Sequence, residues 1–290
     1  MLIHRLQLLA GVIALSTAVI WIKASATHPV ALAAIRLTLA ALLLTPLERR
    51  ERRRHAVALA AAGPPPRTWI PGAVLALHFI SWAYGARLAV AAQASLIVNL
   101  VPVAMPFFLW AIADEKINRR EVFGTLIVIA GLAVLSFRDA LASDASVLGN
   151  VVCFGSMLLF GVYLALSRRN RGVPSLWLYV VPVYRHAAIV AVVAALPWLA
   201  DGVPWTSPRE WGILLGLTIL PTMVGHSLLN RGMRHFRGQV VSLTNCSQFI
   251  YAGTMAFFFF GEIPSATFFF AATLVAIGIV IVIRATPKAT

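Results

Sequence analysis

What this chain lacks is a carboxylate in the middle of any of its apolar runs. It has ten acidic residues, Glu48, Glu51, Asp114, Glu115, Glu121, Asp139, Asp144, Asp201, Glu210 and Glu262, and each falls between those runs or at an end of one. Two classes of membrane carrier lose support from that. A carrier dedicated to hydrophobic cations needs a buried acid to neutralise its cargo, and a carboxylate-driven proton antiporter needs one to titrate. Cargo is therefore expected to be neutral or zwitterionic, or a cation held by aromatic faces. Cysteine is scarce too. Cys153 and Cys246 both lie inside apolar runs, read as small packing residues, and offer no disulfide framework or metal spacing. There is no HExxH and no Ser or Cys with a plausible His-plus-acid pair. No catalytic residue, metal or cofactor is expected, and an intramembrane enzyme is a remote alternative.

Charge of any sign is thin. Charged residues make up 12% of the chain, against about 25% in a soluble domain. Hydrophobic residues make up 60% and the mean hydropathy is +0.86. A hydrocarbon core about 30 Å thick needs about 20 apolar residues per helix. Ten such spans can be read: 6–23, 29–47, 70–88, 91–112, 119–137, 147–167, 174–199, 209–229, 238–260 and 265–284. The runs are too long for barrel strands and do not alternate, so an all-α integral membrane protein is expected. No soluble domain fits in what remains. The first run is too long for a signal-peptide core and has no convincing cleavage site.

The net charge of +14 raises a nucleic-acid reading, which the distribution of that charge argues against. With the N-terminus in the cytoplasm, 18 of the 24 Lys and Arg fall on the inner side. This obeys the positive-inside rule and supports ten spans with both termini cytoplasmic. The run ERRERRR at 48–54 reads as a topology signal lying against anionic lipid headgroups. Nucleic acid is not an expected partner, since no base-reading module accompanies the run. Oligomeric state is not legible, and a monomer is compatible with everything seen. Trp69, Trp177, Trp198, Trp205 and Trp211 sit near span ends, as interface anchors do. A Gly212–Gly216 pair and the Gly124–Gly131 pair allow close helix approach.

The hydrophobic pattern occurs twice. Gln93 aligns with Gln239 and Asn99 with Asn245; after a one-residue slip, Glu115 meets Glu262 and Gly131 meets Gly278. The expected repeats are 1–140 and 141–290. Each holds five spans, an odd number, so the second enters the membrane upside down. Inverted repeats place a substrate site near the midplane between them. A passive structural protein is harder to reconcile with that arrangement. The motif AAIRLTLAALLL around Arg36 and the repeated Glu at the ends of spans four and nine resemble the EamA-type branch of the drug/metabolite transporter superfamily. Within it, the length and the aromatic-rich spans are most similar to YddG-type bacterial exporters of aromatic amino acids. The resemblance implies a helical basket around a central cavity lined mainly by spans one, three, four, six, eight and nine, with export by alternating access. The expected function is export of small aromatic or amphipathic metabolites, amino acids foremost. The alternative is a multidrug or quaternary-cation exporter on the same fold.

Polar and aromatic residues inside the spans fall on stripes. Those expected to line the cavity are Trp21, His78, Trp82, Ser95, Asn99, Tyr163, His226, Asn245 and Gln248. Each also has a plainer reading. The asparagines can glue helices together, the histidines can bond backbone carbonyls, and the aromatics can simply pack. Pro102 and Pro106 free carbonyls upstream, near Val98 and Pro102, which need partners or a cavity. Arg36 and Arg185 fall inside spans and are expected to have no acidic partner within the membrane. Capture of carbonyls or headgroups by snorkelling is the favoured reading, contact with a cargo carboxylate the lesser one. Glu115 and Glu262 are expected to cap the following helix or to gate a rim. Proton coupling, if present, would fall to His78 and His226 rather than to a carboxylate.

Overall fold

A chain in hydrocarbon must satisfy its backbone within each segment, and helices do so. The computed structural model describes residues 2–61, 66–89, 91–141, 147–260 and 263–285, with the side chains of 91–93, 135–141, 256, 259, 260 and 285 outside that description. Glu262, Lys288, most of the GPPP run and the side chain of Gln93 thus lie outside the described residues. Among those described there are helices and no strand.

The first expected span is α1 (Leu2–Ser16) and α2 (Ala18–Ala24); the second is α3 (Pro29–Arg54), followed by a short α4 (Ala56–Ala61). Next come α5 (Trp69–Leu88), the pair α6 (Ala91–Val98) and α7 (Val101–Ala113), and α8 (Arg119–Leu141). The second half holds α9 (Val147–Arg169), α10 (Trp177–Ala195), α11 (Pro208–Leu217), a π-helical stretch (Thr218–His226) and α12 (Ser227–His235). It ends with α13 (Gly238–Cys246), α14 (Gln248–Phe260) and α15 (Ala266–Ala285). Seven stretches among the described residues are long and apolar enough to cross a membrane: Leu2–Ala24, Pro29–Arg54, Ala94–Ala113, Val147–Arg169, Trp177–Trp198, Pro208–His235 and Ala266–Arg284.

Helix α3 departs from expectation. It runs seven residues past the expected end at 47, so residues 48–54 are helical rather than loop. Glu and Arg are good helix formers, and Arg52 bonds Glu48 one turn back at 2.8 Å. Four expected spans are interrupted: the first at Thr17, the fourth at Asn99 and Leu100, the eighth by the π stretch, the ninth at Ser247.

The helix pairings map onto themselves when the two halves are exchanged. Helix α3 packs on its counterpart α10, and α8 on α15. Helix α5 packs on α9, and its counterpart, the π stretch with α12, packs on α1. The α8–α15 crossing shows the exchange atom by atom. A Cβ added at Gly278 would sit 2.6 Å from the Gly124 carbonyl oxygen, and one added at Gly131 would sit 3.0 Å from that of Ala271. Gly131 and Gly278 are repeat partners at an offset of 147, and so are positions 124 and 271. Lipid supplies no hydrophobic drive between helices, so such close backbone approach is what packing rests on. The Gly212–Gly216 pair behaves differently. Gly216 carries the Trp21 ring, 2.8 Å from where a Cβ would stand, whereas Gly212 meets nothing within 4 Å.

Gly278→Leu should therefore destabilise the protein by about 1–3 kcal/mol, the range for overpacking, read as a lowered melting midpoint in detergent. Gly212→Leu should leave the midpoint unchanged. Equal effects at the two positions would contradict the α8–α15 contact.

Candidate functional site

The interruptions share one destination. Residues flanking all four of them, Ser16 and Ala18, Val98 and Asn99, His226, and Gln248, line a single central cavity of about 40 Å³. Each break is locally repaired. Ser16 Oγ and Thr17 Oγ1 donate to the carbonyls of Ile13 and Ala14 at 2.6 and 2.8 Å. The Asn99 carbonyl accepts from the Cys246 thiol at 2.8 Å. Pro106 frees the carbonyl of Pro102, as the proline spacing predicts, and Gln239 Nε2 donates to it at 3.1 Å. In the π stretch, which contains Pro221, Thr222 Oγ1 donates to Leu217 and the Tyr184 hydroxyl donates to the Thr222 carbonyl, each at 2.9 Å.

His78, Trp82, Ser95, Asn99, His226 and Gln248 line this cavity. His78 Nδ1 lies 3.0 Å from the Ser156 carbonyl and 2.9 Å from the Ser156 hydroxyl. Its ring stacks on Phe160 with centroids 4.7 Å apart. The His226 ring stands edge-on to Phe79 at 4.8 Å, and its buried Nδ1 has no hydrogen-bond partner among the described residues.

Three expected residues stand elsewhere. Trp21 bonds Thr17 Oγ1 at 3.2 Å and packs over Gly216. Tyr163 is fully buried beside Asn230, whose Nδ2 donates to its hydroxyl at 2.7 Å. Asn245 is helix glue: it reaches Asn99 Oδ1 at 3.4 Å, and its own Oδ1 accepts from Gln248 at 2.6 Å. Each of the three is covered by a neighbour, and Asn245 stands behind two residues that line the cavity.

Arg36 is the unexpected lining residue. It is 1% exposed and, among the described residues, the only charged side chain on the cavity wall. Its Nε donates to Thr222 Oγ1 at 3.0 Å, and the guanidinium lies 3.8 Å above the Phe79 ring. A face contact of that kind contributes about 2 kcal/mol when desolvated, less than the burial penalty of a cation. Its Nη1 is buried without a partner. Phe79 gave no signal in the sequence beyond an apolar residue beside His78.

Arg185 corrects its expectation. It does have an acidic partner, Glu48, because the extension of α3 carries that carboxylate alongside α10. Burial of acids is a second correction. Glu115, Glu121 and Glu210 do sit at helix ends, and Glu48 lies six residues before the end of α3, yet they are only 8, 0, 2 and 3% exposed, since arginines and backbone N–H groups fold over them.

Two polar clasps lie at the ends of the bundle. At the arginine-rich end, Glu115 accepts from Arg168 Nε at 2.6 Å and from the backbone N–H of Gly238 at 2.8 Å, so it caps α13 rather than the helix that follows it. The following helix, α8, is capped by a reciprocal Asn118–Glu121 box at 2.9 and 2.8 Å. Arg168 also donates to the Met233 carbonyl at 2.7 Å. Arg237 pairs with Glu121, whose carboxylate raises the Arg237 guanidinium above its ordinary value. At the other end, Glu210 accepts from Thr27 Oγ1 at 2.7 Å and from the N–H groups of Ala26 and Thr27, tying the loop between α2 and α3 to α11. His28, in that loop, is held below its ordinary value by burial and then by Arg87.

Comparison with known proteins adds to this geometry. The EamA-like transporter family matches residues 4–137 and again 147–284. A protein named pseudopaline exporter CntI, from two strains of Pseudomonas aeruginosa, is 27% identical over 248 residues, covering 84% of this chain and 82% of the relative. A crystal structure at 19% identity superposes with a TM-score of 0.77 over 98% of each chain, a likeness of fold.

Removing one partner of a buried ion pair costs about 3–5 kcal/mol. Glu115→Ala and Arg168→Ala should each destabilise on that scale, and the double variant little more than either. Thermal unfolding of the four proteins in detergent checks this; additive effects would contradict the clasp.

Proposed function

The chain belongs to the EamA-like transporter family, and from that premise we propose that it exports small aromatic or amphipathic metabolites, amino acids foremost, by alternating access. The observation that carries the reading is the chemistry of the cavity wall. Trp82 and Phe160 offer aromatic faces, Asn99 and Gln248 amides, His78 and His226 imidazoles, and no lining residue is a carboxylate. Such a wall suits a cargo with an apolar body and a polar head. The multidrug or quaternary-cation alternative is weakened by Arg36, a buried positive charge that repels a cation.

On this reading the ten expected spans cross the bacterial inner membrane, with repeats at 1–140 and 141–290, both termini in the cytoplasm and residues 48–54 against anionic headgroups. The Glu115 clasp then faces the cytoplasm and is shut, and the cavity is directed to the periplasm. A volume of about 40 Å³ holds a few water molecules or a single carboxylate-sized group. It does not hold a whole amino acid, so the helices must part for cargo to bind. That is what alternation between two states requires. Glu115 and Glu262, repeat partners at the ends of spans four and nine, serve as rims. Coupling does not depend on a carboxylate in the cavity, and His78 and His226 are the groups there that could carry a proton.

Purified protein in liposomes should move at least one member of a panel of amino acids and pseudopaline without an imposed pH gradient. Trp82→Ala should slow that transport about two- to tenfold, the worth of an aromatic contact of about 0.5–1.5 kcal/mol, with expression unchanged. Transport of tetraalkylammonium ions and none of the panel would favour the cation exporter instead.

A further inference from the structure

We propose that Arg36 is a carboxylate-docking site, so that the exported cargo carries a carboxylate and presents it to α3. The inference rests on the export reading above and specifies the chemistry of its cargo. A guanidinium has five N–H donors. Here Nε is taken by Thr222 and one face by Phe79, while Nη1 faces no acceptor although the side chain is 1% exposed. No ion pair among the described residues includes Arg36, whereas Arg52, Arg54, Arg168, Arg185 and Arg237 all have carboxylate partners. Every residue that shares the cavity wall with it is uncharged or an imidazole.

A structural arginine would be expected to end on carbonyls or an acid, as Arg168 does on Glu115 and Met233. Arg36 instead lines the cavity, is oriented by one hydroxyl and one ring, and keeps a buried donor without a partner among the described residues. That is the arrangement of a preorganised anion receptor. The planar fork matches a carboxylate, whose negative charge would neutralise the buried cation when cargo binds. The same geometry gives Thr222 a positioning role, since its hydroxyl fixes Nε and thereby the direction of Nη1. The aromatic wall of Trp82 and Phe160 lies on the same cavity and would take the apolar body of the molecule whose head Arg36 holds.

The test compares each transported amino acid with its own carboxamide, such as phenylalanine with phenylalaninamide, in wild-type liposomes. The acid should be preferred about tenfold or more, the scale of a charge-assisted hydrogen bond. In Arg36→Gln the preference should fall below about threefold, with amide transport retained, and Arg36→Lys should keep an intermediate preference. Equal transport of acid and amide by the wild type would overturn the proposal, and this comparison needs no variant to fold. A binding readout separates the two layers of the argument. Benzoate, but neither benzamide nor chloride, should raise the melting midpoint of the purified wild type. If benzoate does so while no panel member is transported, the anion site stands and the export reading falls. If chloride does so equally, or benzoate does nothing, the carboxylate site itself is refuted.

Discussion

The constraint on which this molecule depends is that hydrocarbon offers a backbone no hydrogen-bond partner. A helix can break inside the bundle only where protein or water satisfies what the break exposes. Four of the expected spans break here, and residues flanking all four breaks meet at one cavity. The repairs come from inside: hydroxyls of Ser16 and Thr17, the Cys246 thiol, the Gln239 amide and the Tyr184 hydroxyl. The Cys246, Gln239 and Tyr184 groups reach partners on other helices and could not face lipid without losing them. The breaks therefore both create the cavity and fix which side chains line it. The pseudo-symmetry follows from the same cause. Span four breaks at Asn99 and Leu100, its repeat partner breaks at Ser247, and the two breaks are bonded to each other through Asn99, Asn245 and Cys246.

Charge is managed by a parallel rule. At the ends of the bundle, buried acids are matched with arginines or backbone N–H groups, as in Glu115 with Arg168 and Gly238, and Glu210 with the 25–27 loop. These clasps join segments distant in sequence, and such polar contacts can be exchanged during a conformational change without disturbing the packed α8–α15 and α3–α10 pairs. In the middle of the bundle one charge, Arg36, has no such match. Leaving a cation desolvated is unfavourable unless a ligand completes it, which sets Arg36 apart from the ion-paired arginines among the described residues.

Much of this was legible in the sequence because hydropathy, charge asymmetry and repeat spacing report the membrane directly. The helical, membrane-type character of the chain was read correctly, with seven apolar stretches of membrane length among the described residues, and Asn99, Asn245, His78 and Trp82 all lie in or beside helices. Depth was not legible. Trp21, Tyr163 and Asn245 share stripes with true lining residues, but helical periodicity gives an angle around the axis and no distance from the cavity. Long-range pairing was not legible either. Nothing local to Glu115 tells that it caps α13 from 123 residues away. Likewise Arg185 appeared unpaired only because α3 was expected to stop one residue before Glu48. Arg36 was visible as a charge inside a span, but its ring partner Phe79 and its position on the cavity wall depend on how α3 packs against α5.

The central claim is that the interrupted helices enclose a path for cargo, shut at the arginine-rich end and directed to the opposite face. Single cysteines at Ser16, Ser95 and Ala252 on the cavity wall, and at Leu77 and Ile219 on the outer surface of the bundle, test it in a background lacking Cys153 and Cys246. A membrane-impermeant thiol reagent applied to intact cells should label the first three from the periplasm and neither of the other two. Labelling of Leu77 and Ile219 positions in place of the cavity positions, or of cavity positions only from the cytoplasmic side, would contradict the account.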